Sequence, residues 1–309
     1  MSELKRHMGL FQLTMYGTGL ILGAGIYVLI GEAAGFAGDS VWIAFALGSV
    51  VALFAGFSYA ELSSIFPKAA AEYVFIKNAF KNNFFAFLIG WLTAVTSIIT
   101  AATVALGFGG YFAEFVNIPI IISAIGLLVI LSIVNFIGIR ESAWTNTIFT
   151  IIEASGLILI IIIGFTFANP EPVNYYESPS GFSGIVIAFV LIFFAFIGFE
   201  DMANIAEEVK KPKKTLPKAI ILSVVIAGIL YILVSLAVVR VVNWEELANS
   251  SAPIALVAEK GLGAEAHILL SSIALFAITN TVLITLVAGS RIFYGMAKEK
   301  VFPSILEKV

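Results

Sequence analysis

The first apolar stretch of this chain carries no charge between Met8 and Gly31, yet Gly17, Gly19, Gly23 and Gly25 crowd into nine consecutive positions within it. A segment of that length and character crosses a bilayer as a helix. Each interior glycine costs a helix roughly 1 kcal/mol relative to alanine, so the run gives up on the order of 4 kcal/mol in little more than two turns. A helix that breaks in mid-membrane bares backbone N–H and C=O groups. Lipid tolerates these only where they face protein or a polar cavity. A glycine hinge at that depth is therefore a sign of a binding site built from a discontinuous helix.

Composition points to the same environment. Only 12% of the 309 residues are charged and 60% are hydrophobic, with a mean hydropathy of +1.05, whereas soluble domains run near 25% charged. There is no cysteine, which excludes disulfides, thiolate metal sites and cysteine nucleophiles. His7 and His267 are far apart and fit no metal-ligand spacing, so no metal and no cofactor are expected. A short basic arm, Lys5-Arg6-His7, precedes the first apolar stretch. That stretch is too long for a signal peptide and is followed by further spans, so it reads as a retained first span.

Eight candidate spans follow from apolar runs of about 20 residues or more: 10–34, 41–64, 84–116, 120–138, 143–168, 184–206, 217–242 and 265–290. The prolines fall at segment ends or between segments, so breaks within spans must come from glycine and polar residues. All basic residues except Arg240 and Lys260 fall on one side of this topology. By the positive-inside rule the N-terminus is cytoplasmic, and the expected location is the plasma membrane. The outer segment 243–264 reads as short helical pieces, either a cap over a vestibule or a linker.

Span 6 carries a second interruption. Phe196-Ile197-Gly198-Phe199 leads into adjacent acids, Glu200 and Asp201, each expensive at mid-membrane. Either the span ends at Phe199, or it unwinds near Gly198 and resumes through 202–206. The run from Ser183 to Phe199 is short for a crossing, which favours unwinding. Spans 1 and 6 are then both broken, five helices apart, as two inverted five-helix halves require.

Four stretches give the chain its resemblance to a known family. They are Gly19–Tyr27; Tyr59-Ala60-Glu61-Leu62 with Pro67 and Glu72-Tyr73; Phe196–Glu200 with Glu207, Lys211–Lys214 and Leu216–Ile220; and Ser290-Arg291 with Tyr294–Lys298 and Pro303. Together they resemble the amino acid–polyamine–organocation (APC) transporter superfamily. The resemblance implies an all-α polytopic membrane protein with the LeuT-like five-plus-five inverted repeat and broken helices 1 and 6. It divides the chain into a first repeat at 1–168 and a partial second repeat at 169–309. The chain departs from the family at three places. Eight spans stand where about twelve are usual, Ala70-Ala71 replaces a glycine pair, and Glu153 takes the place of a helix 5 lysine common among relatives.

The same resemblance implies a site at the two breaks. Gly23, Ala24 and Gly25 would offer helix N-terminal N–H groups to a carboxylate. The carbonyls of Ile21, Phe194, Ala195 and Ile197, beside Gly198, would face an ammonium. The run Gly19-Leu20-Ile21-Leu22-Gly23 also fits a helix-packing GxxxG, and the two readings are compatible. A nucleotide-binding reading fails on spacing and on the lack of a preceding strand. Phe194 aligns as a substrate lid and Glu200 as a gating acid; alternatively, Glu200 is a helix-end acid facing the outer water. Glu153 lies in the otherwise uncharged stretch 142–169, where a carboxyl must be neutral or paired. Intramembrane acids are functional candidates by default, with Thr279 and Asn280 as its companions for a coupling ion.

The expected activity is secondary active transport of a neutral, apolar amino acid by alternating access, through proton-coupled symport. Exchange, a non-transporting sensor and an inactive fragment are the alternatives. A membrane enzyme lacks any supporting constellation. The expected partners are the amino acid, a proton (or sodium) and the lipid bilayer, with no nucleic acid; the oligomeric state is left open. Since the second half supplies only spans 6 to 8, the chain is expected to be part of a reading frame of roughly 400 residues or more, at about 20 residues per missing span.

Overall fold

The computed structural model describes residues 6–113, 115–137, 143–167 and 172–307. Lys5, Arg140 and Lys308 of the charge pattern, and the span ends at 138 and 168, lie outside them. Among the described residues the regular structure is helical, apart from one isolated bridge between Met8 and Val209. Six helical stretches are long and apolar enough to cross a membrane, with a shorter apolar helix at Ile120–Asn135.

The longest stretch, Leu10–Ile65, has 56 residues. As one rod it would run on the order of 84 Å, far beyond a hydrocarbon core of ~30 Å, so it has to turn. It does so at Gly38–Ser40, a 3-10 turn opened by Gly38 at φ +62°. Before the turn, helix α1 (Leu10–Leu22) and helix α2 (Ala24–Ala37) are separated at Gly23, whose ψ of −140° is not helical. After it comes α3 (Val41–Ile65). The short α4 (Ala71–Phe80) then leads to α5 (Asn83–Ala113), α6 (Ile120–Ile137) and α7 (Ala143–Thr166).

The second interruption is an unwinding, not a span end. Helix α8 (Gly181–Phe196) stops, residues 197–200 form turns, and the chain resumes as α9 (Asp201–Asn204). Gly198 sits at φ +126°, a backbone region that side chains rarely adopt. Helices α10 (Pro212–Val241), α11 (Trp244–Ala248), α12 (Pro253–Leu262) and α13 (Ala264–Lys298) complete the chain. The short helices α11 and α12 are no loose linker. They pack on α2, and α12 also on α7 and α13.

Two expected boundaries change. Helix α10 begins at Pro212 and not at 217, placing Pro217 inside the helix. Proline at the first helical position sacrifices an N–H that would be unpaired anyway. Residues 292–298, beyond the expected span end at 290, continue α13, where Ile292, Tyr294, Gly295, Met296 and Ala297 are buried. Gly295 packs so closely on the 69–70 backbone that an added Cβ would lie 2.8 Å from Ala70 N.

The core places both breaks at its centre. Helix α10 packs on α3, α1 and α7, α2 packs on α8, and α13 packs on α5 and α7. The chain start is tied to the segment after the second break, where Lys210 N–H donates to Met8 O at 2.9 Å and His7 N–H to Glu208 O at 2.9 Å. The two broken helices are thereby anchored to each other at one end.

Candidate functional site

A cavity of about 60 Å³ lies between the two breaks. One wall is backbone-rich, formed by Leu20, Ile21, Ala24 and Gly25 at the first break and by Phe194, Ala195, Ile197 and Gly198 at the second. Of the residues expected at the substrate site, all except Gly23 line it, and so do both expected gate residues, Phe194 and Glu200. Gly23 lies at the break itself, against α13: an added Cβ would meet the Thr281 hydroxyl at 1.7 Å. Gly25 is equally confined, its missing Cβ falling 2.6 Å from Ala195 Cα. These approaches bring the backbones of α2, α8 and α13 together where a side chain would hold them apart.

Four of the backbone groups at the breaks have side-chain partners. Ala24 N–H donates to Thr281 Oγ1 at 3.3 Å. The hydroxyl of Tyr231, buried on α10, donates to Ile21 O and also lies 3.1 Å from Ala195 O. One side chain thus bridges the carbonyls of both breaks. Gly198 N–H donates to the Glu200 carboxylate at 2.9 Å, so the acid caps the turn that precedes it.

The opposite wall is α5, which presents Thr93, Thr96, Ser97 and Thr100. The Thr93, Thr96 and Ser97 hydroxyls donate back to carbonyls four residues earlier. Their oxygen lone pairs remain available to a donor in the cavity. Thr281 and Thr285 of α13 complete the lining. Sequence reasoning missed this hydroxyl stripe and Tyr231. The signal for the stripe was present, since positions 93, 96, 97 and 100 share one helical face of an otherwise apolar span.

Glu153 is fully buried on α7 and is not among the residues that line the cavity. Asn280 Nδ2 donates to its Oε1 at 3.0 Å, while Oε2 has no hydrogen-bond partner among the described residues. The Tyr27 hydroxyl of α2 donates to the Glu153 carbonyl at 3.0 Å. Asn280 is therefore brought to Glu153 as expected. Thr279 is half-buried and not hydrogen-bonded to it, and the α13 threonine at the first break is Thr281.

A second polar cluster lies at the α4 end of the break. Asn204 of α9 accepts from Ala71 N–H at 2.8 Å and donates to Glu72 at 3.3 Å. Glu72 is also faced by Tyr59, Glu200 and Asp201, and burial pushes its carboxyl up to about 7, with the Glu200 charge adding to the rise.

A helical bundle with two paired breaks around one cavity is a transporter fold. The solved structure of Mhp1, a nucleobase-cation-symport-1 family transporter in a closed conformation with bromovinylhydantoin bound, matches 96% of this chain and 68% of its own at TM-score 0.61 and 17% identity. A manganese transporter from Eremococcus coleocola matches 95% of this chain and 68% of its own at TM-score 0.62 and 12% identity. Both have the LeuT-like fold. The sequence profile of the amino acid permease family matches residues 8–309, and the chain belongs to that family, within the APC superfamily. The branched-chain amino acid permease BcaP of Bacillus subtilis is 31% identical over 99% of this chain and 70% of its own length. The methylthioribose transporter of the same organism is 30% identical, with the same coverage. Cationic amino acid transporter 4 of Mus musculus is 31% identical over all of this chain and 52% of its own length. The protein is thus a membrane transporter and not an enzyme.

Proposed function

We infer that this chain binds a neutral, apolar amino acid at the two helix breaks and carries it by alternating access. The observation that supports this most strongly is the cavity wall, made of backbone from both breaks. The carboxylate and ammonium of an amino acid are the same whatever its side chain, so backbone groups suffice to hold them. Beyond Ala24, whose N–H is held by Thr281, the first turn of α2 supplies N–H groups at the positive end of a helix dipole for the carboxylate. Tyr231 fixes the carbonyls of Ile21 and Ala195, and each keeps a lone pair for the ammonium. Phe194 closes the apolar side. The cavity is far below the ~300–1,000 Å³ usual for ligand sites, so binding requires α5 and the broken helices to separate.

A cationic substrate is the second reading, because Glu200 and Asp201 also line the cavity and one relative is named for cationic amino acids. Glu200 already accepts the Gly198 N–H, and no acid on α5 reaches the lining, which favours the neutral substrate. Another relative is named for branched-chain amino acids.

Glu153 is the proposed coupling acid. A buried carboxylate without a cation is costly, so its neutral form, with the proton on the unpartnered Oε2, suits this conformation. Motion of α2 against α7 would change the contact between Tyr27 and the Glu153 backbone and open a path for that proton. The two proposed repeats, 1–168 and 169–309, would rock against each other about the breaks, in a plasma-membrane protein with its N-terminus inside.

Counterflow of leucine in proteoliposomes, with and without an inward proton gradient, tests the coupling. Glu153→Gln mimics the neutral acid and is expected to keep exchange while losing pH-driven accumulation. Unchanged pH dependence in this variant would leave Glu153 a structural role only.

A further inference from the structure

We propose that the cleft between α4, the start of α5 and the end of α13 binds the phosphate headgroup of an anionic phospholipid. The cleft has a volume of about 410 Å³ and is lined by Lys68, Lys77 and Lys81, with Asn78 and Asn83 and one acid, Glu299. Three lysines against one carboxylate leave it cationic. It is separate from the transport cavity, with which it shares no lining residue.

The lysines are differently held. Lys77 is pinned, with its ammonium 2.5 Å from Glu299 and 5.4 Å from the centre of the Tyr73 ring. Lys68 stands 4.0 Å from the same acid and has a side chain 62% exposed. Lys81 ends α4 in a left-handed conformation, and its charge has no carboxylate partner among the described residues. Glu299 therefore neutralises one ammonium and leaves the cleft two unbalanced positive charges.

The surroundings point to lipid as the source of the phosphate. Phe80, Phe84 and Phe85, beside the cleft, are all more than half exposed. Asn82 accepts from Phe84 N–H at 2.9 Å, starting α5 at this place. Exposed aromatic rings at the end of an apolar helix are characteristic of the membrane interface. A headgroup in the cleft would thus lie next to a surface suited to its glycerol and acyl chains. Basic residues at this level attract anionic lipid with an affinity of about fivefold per lysine.

The test uses the purified full chain, delipidated in a neutral detergent and titrated separately with phosphatidylglycerol and phosphatidylcholine. Bound lipid is counted by native mass spectrometry and protection is followed by melting temperature. Phosphatidylglycerol is expected to bind and to raise the melting temperature where phosphatidylcholine does neither. The double variant Lys68→Gln, Lys81→Gln leaves the Lys77–Glu299 pair intact and is expected to weaken phosphatidylglycerol binding at least about tenfold. Lys68→Arg with Lys81→Arg is expected to retain it. Equal binding of the two lipids, or undiminished selectivity in the glutamine variant, would overturn the proposal. Full displacement of the lipid by inorganic phosphate at millimolar concentration would also overturn it, by assigning the cleft to a free anion.

Discussion

At the scale of single residues, the breaks depend on side chains that occupy bared backbone. Tyr231→Phe removes the one hydroxyl shared by Ile21 O and Ala195 O. Leaving buried acceptors unsatisfied costs about 1–3 kcal/mol, so the variant is expected to melt lower and to bind substrate more weakly. A wild-type melting curve would show that the bridge does not hold the breaks. Glu72 supplies a pH dependence. Its carboxyl is held up to about 7 against an ordinary 4.5, chiefly by burial, so the folded state favours the proton. The stability it contributes is fully present below pH 4.5 and is lost as pH rises through about 7. Glu72→Gln is expected to flatten the fall in melting temperature across that window, and an unchanged slope would contradict this role for Glu72. That Glu153 needs a polar neighbour follows from an acid in an uncharged span, whereas Asn280 as that neighbour comes from the family resemblance; the two are 3.0 Å apart. That Thr281, and not Thr279, meets the first break was not legible in advance. Residues two positions apart on a helix point about 200° from each other, and only the packing of α13 on the first break decides which threonine faces it. Tyr231 gave no local sign of its role, since both carbonyls it reaches belong to distant parts of the chain.

At the scale of elements, helix ends in the membrane core and at its edge follow different rules. The breaks in α1–α2 and α8–α9 were legible because glycine and paired acids interrupt apolar runs. The ends of α10 and α13 were not, since apolar length reports only the hydrocarbon part of a helix. Beyond it, α13 is held to Lys298 by contacts with distant segments. Lys298 pairs with Glu207 at 3.3 Å and Arg291 with Glu208 at 3.4 Å, while Gly295 lies on Ala70. Ala70 itself is left-handed at φ +51°, a conformation that costs a non-glycine residue about 1–2 kcal/mol. Alanine at position 70 thus places strain at the joint between α4 and α13. Gly295→Ala would force a methyl onto backbone atoms of 69 and 70, and overpacking of this kind costs typically about 1–3 kcal/mol. The variant is expected to melt lower than wild type. Paired with Ala70→Gly it should regain part of the loss, because Ala70 Cβ is one of the atoms the methyl meets. No recovery in the double variant would place the strain elsewhere.

At the scale of the whole molecule, the arrangement brings two interruptions, distant in sequence, to one cavity facing a hydroxyl-bearing helix. The position of the cavity follows from the pairing of breaks, which the sequence pattern already implied. Its opposite wall required the fold, because the hydroxyls of α5 become a surface only when α5 packs on α13. The most direct measurement of the central claim is equilibrium binding of labelled leucine and arginine to the purified chain and to Gly25→Ala, whose added methyl would press on Ala195. The expected result is that leucine binds at least about tenfold more tightly than arginine, ~1.4 kcal/mol, and that Gly25→Ala loses leucine binding while keeping a cooperative melt. Tighter binding of arginine, or leucine binding undiminished in folded Gly25→Ala, would contradict it.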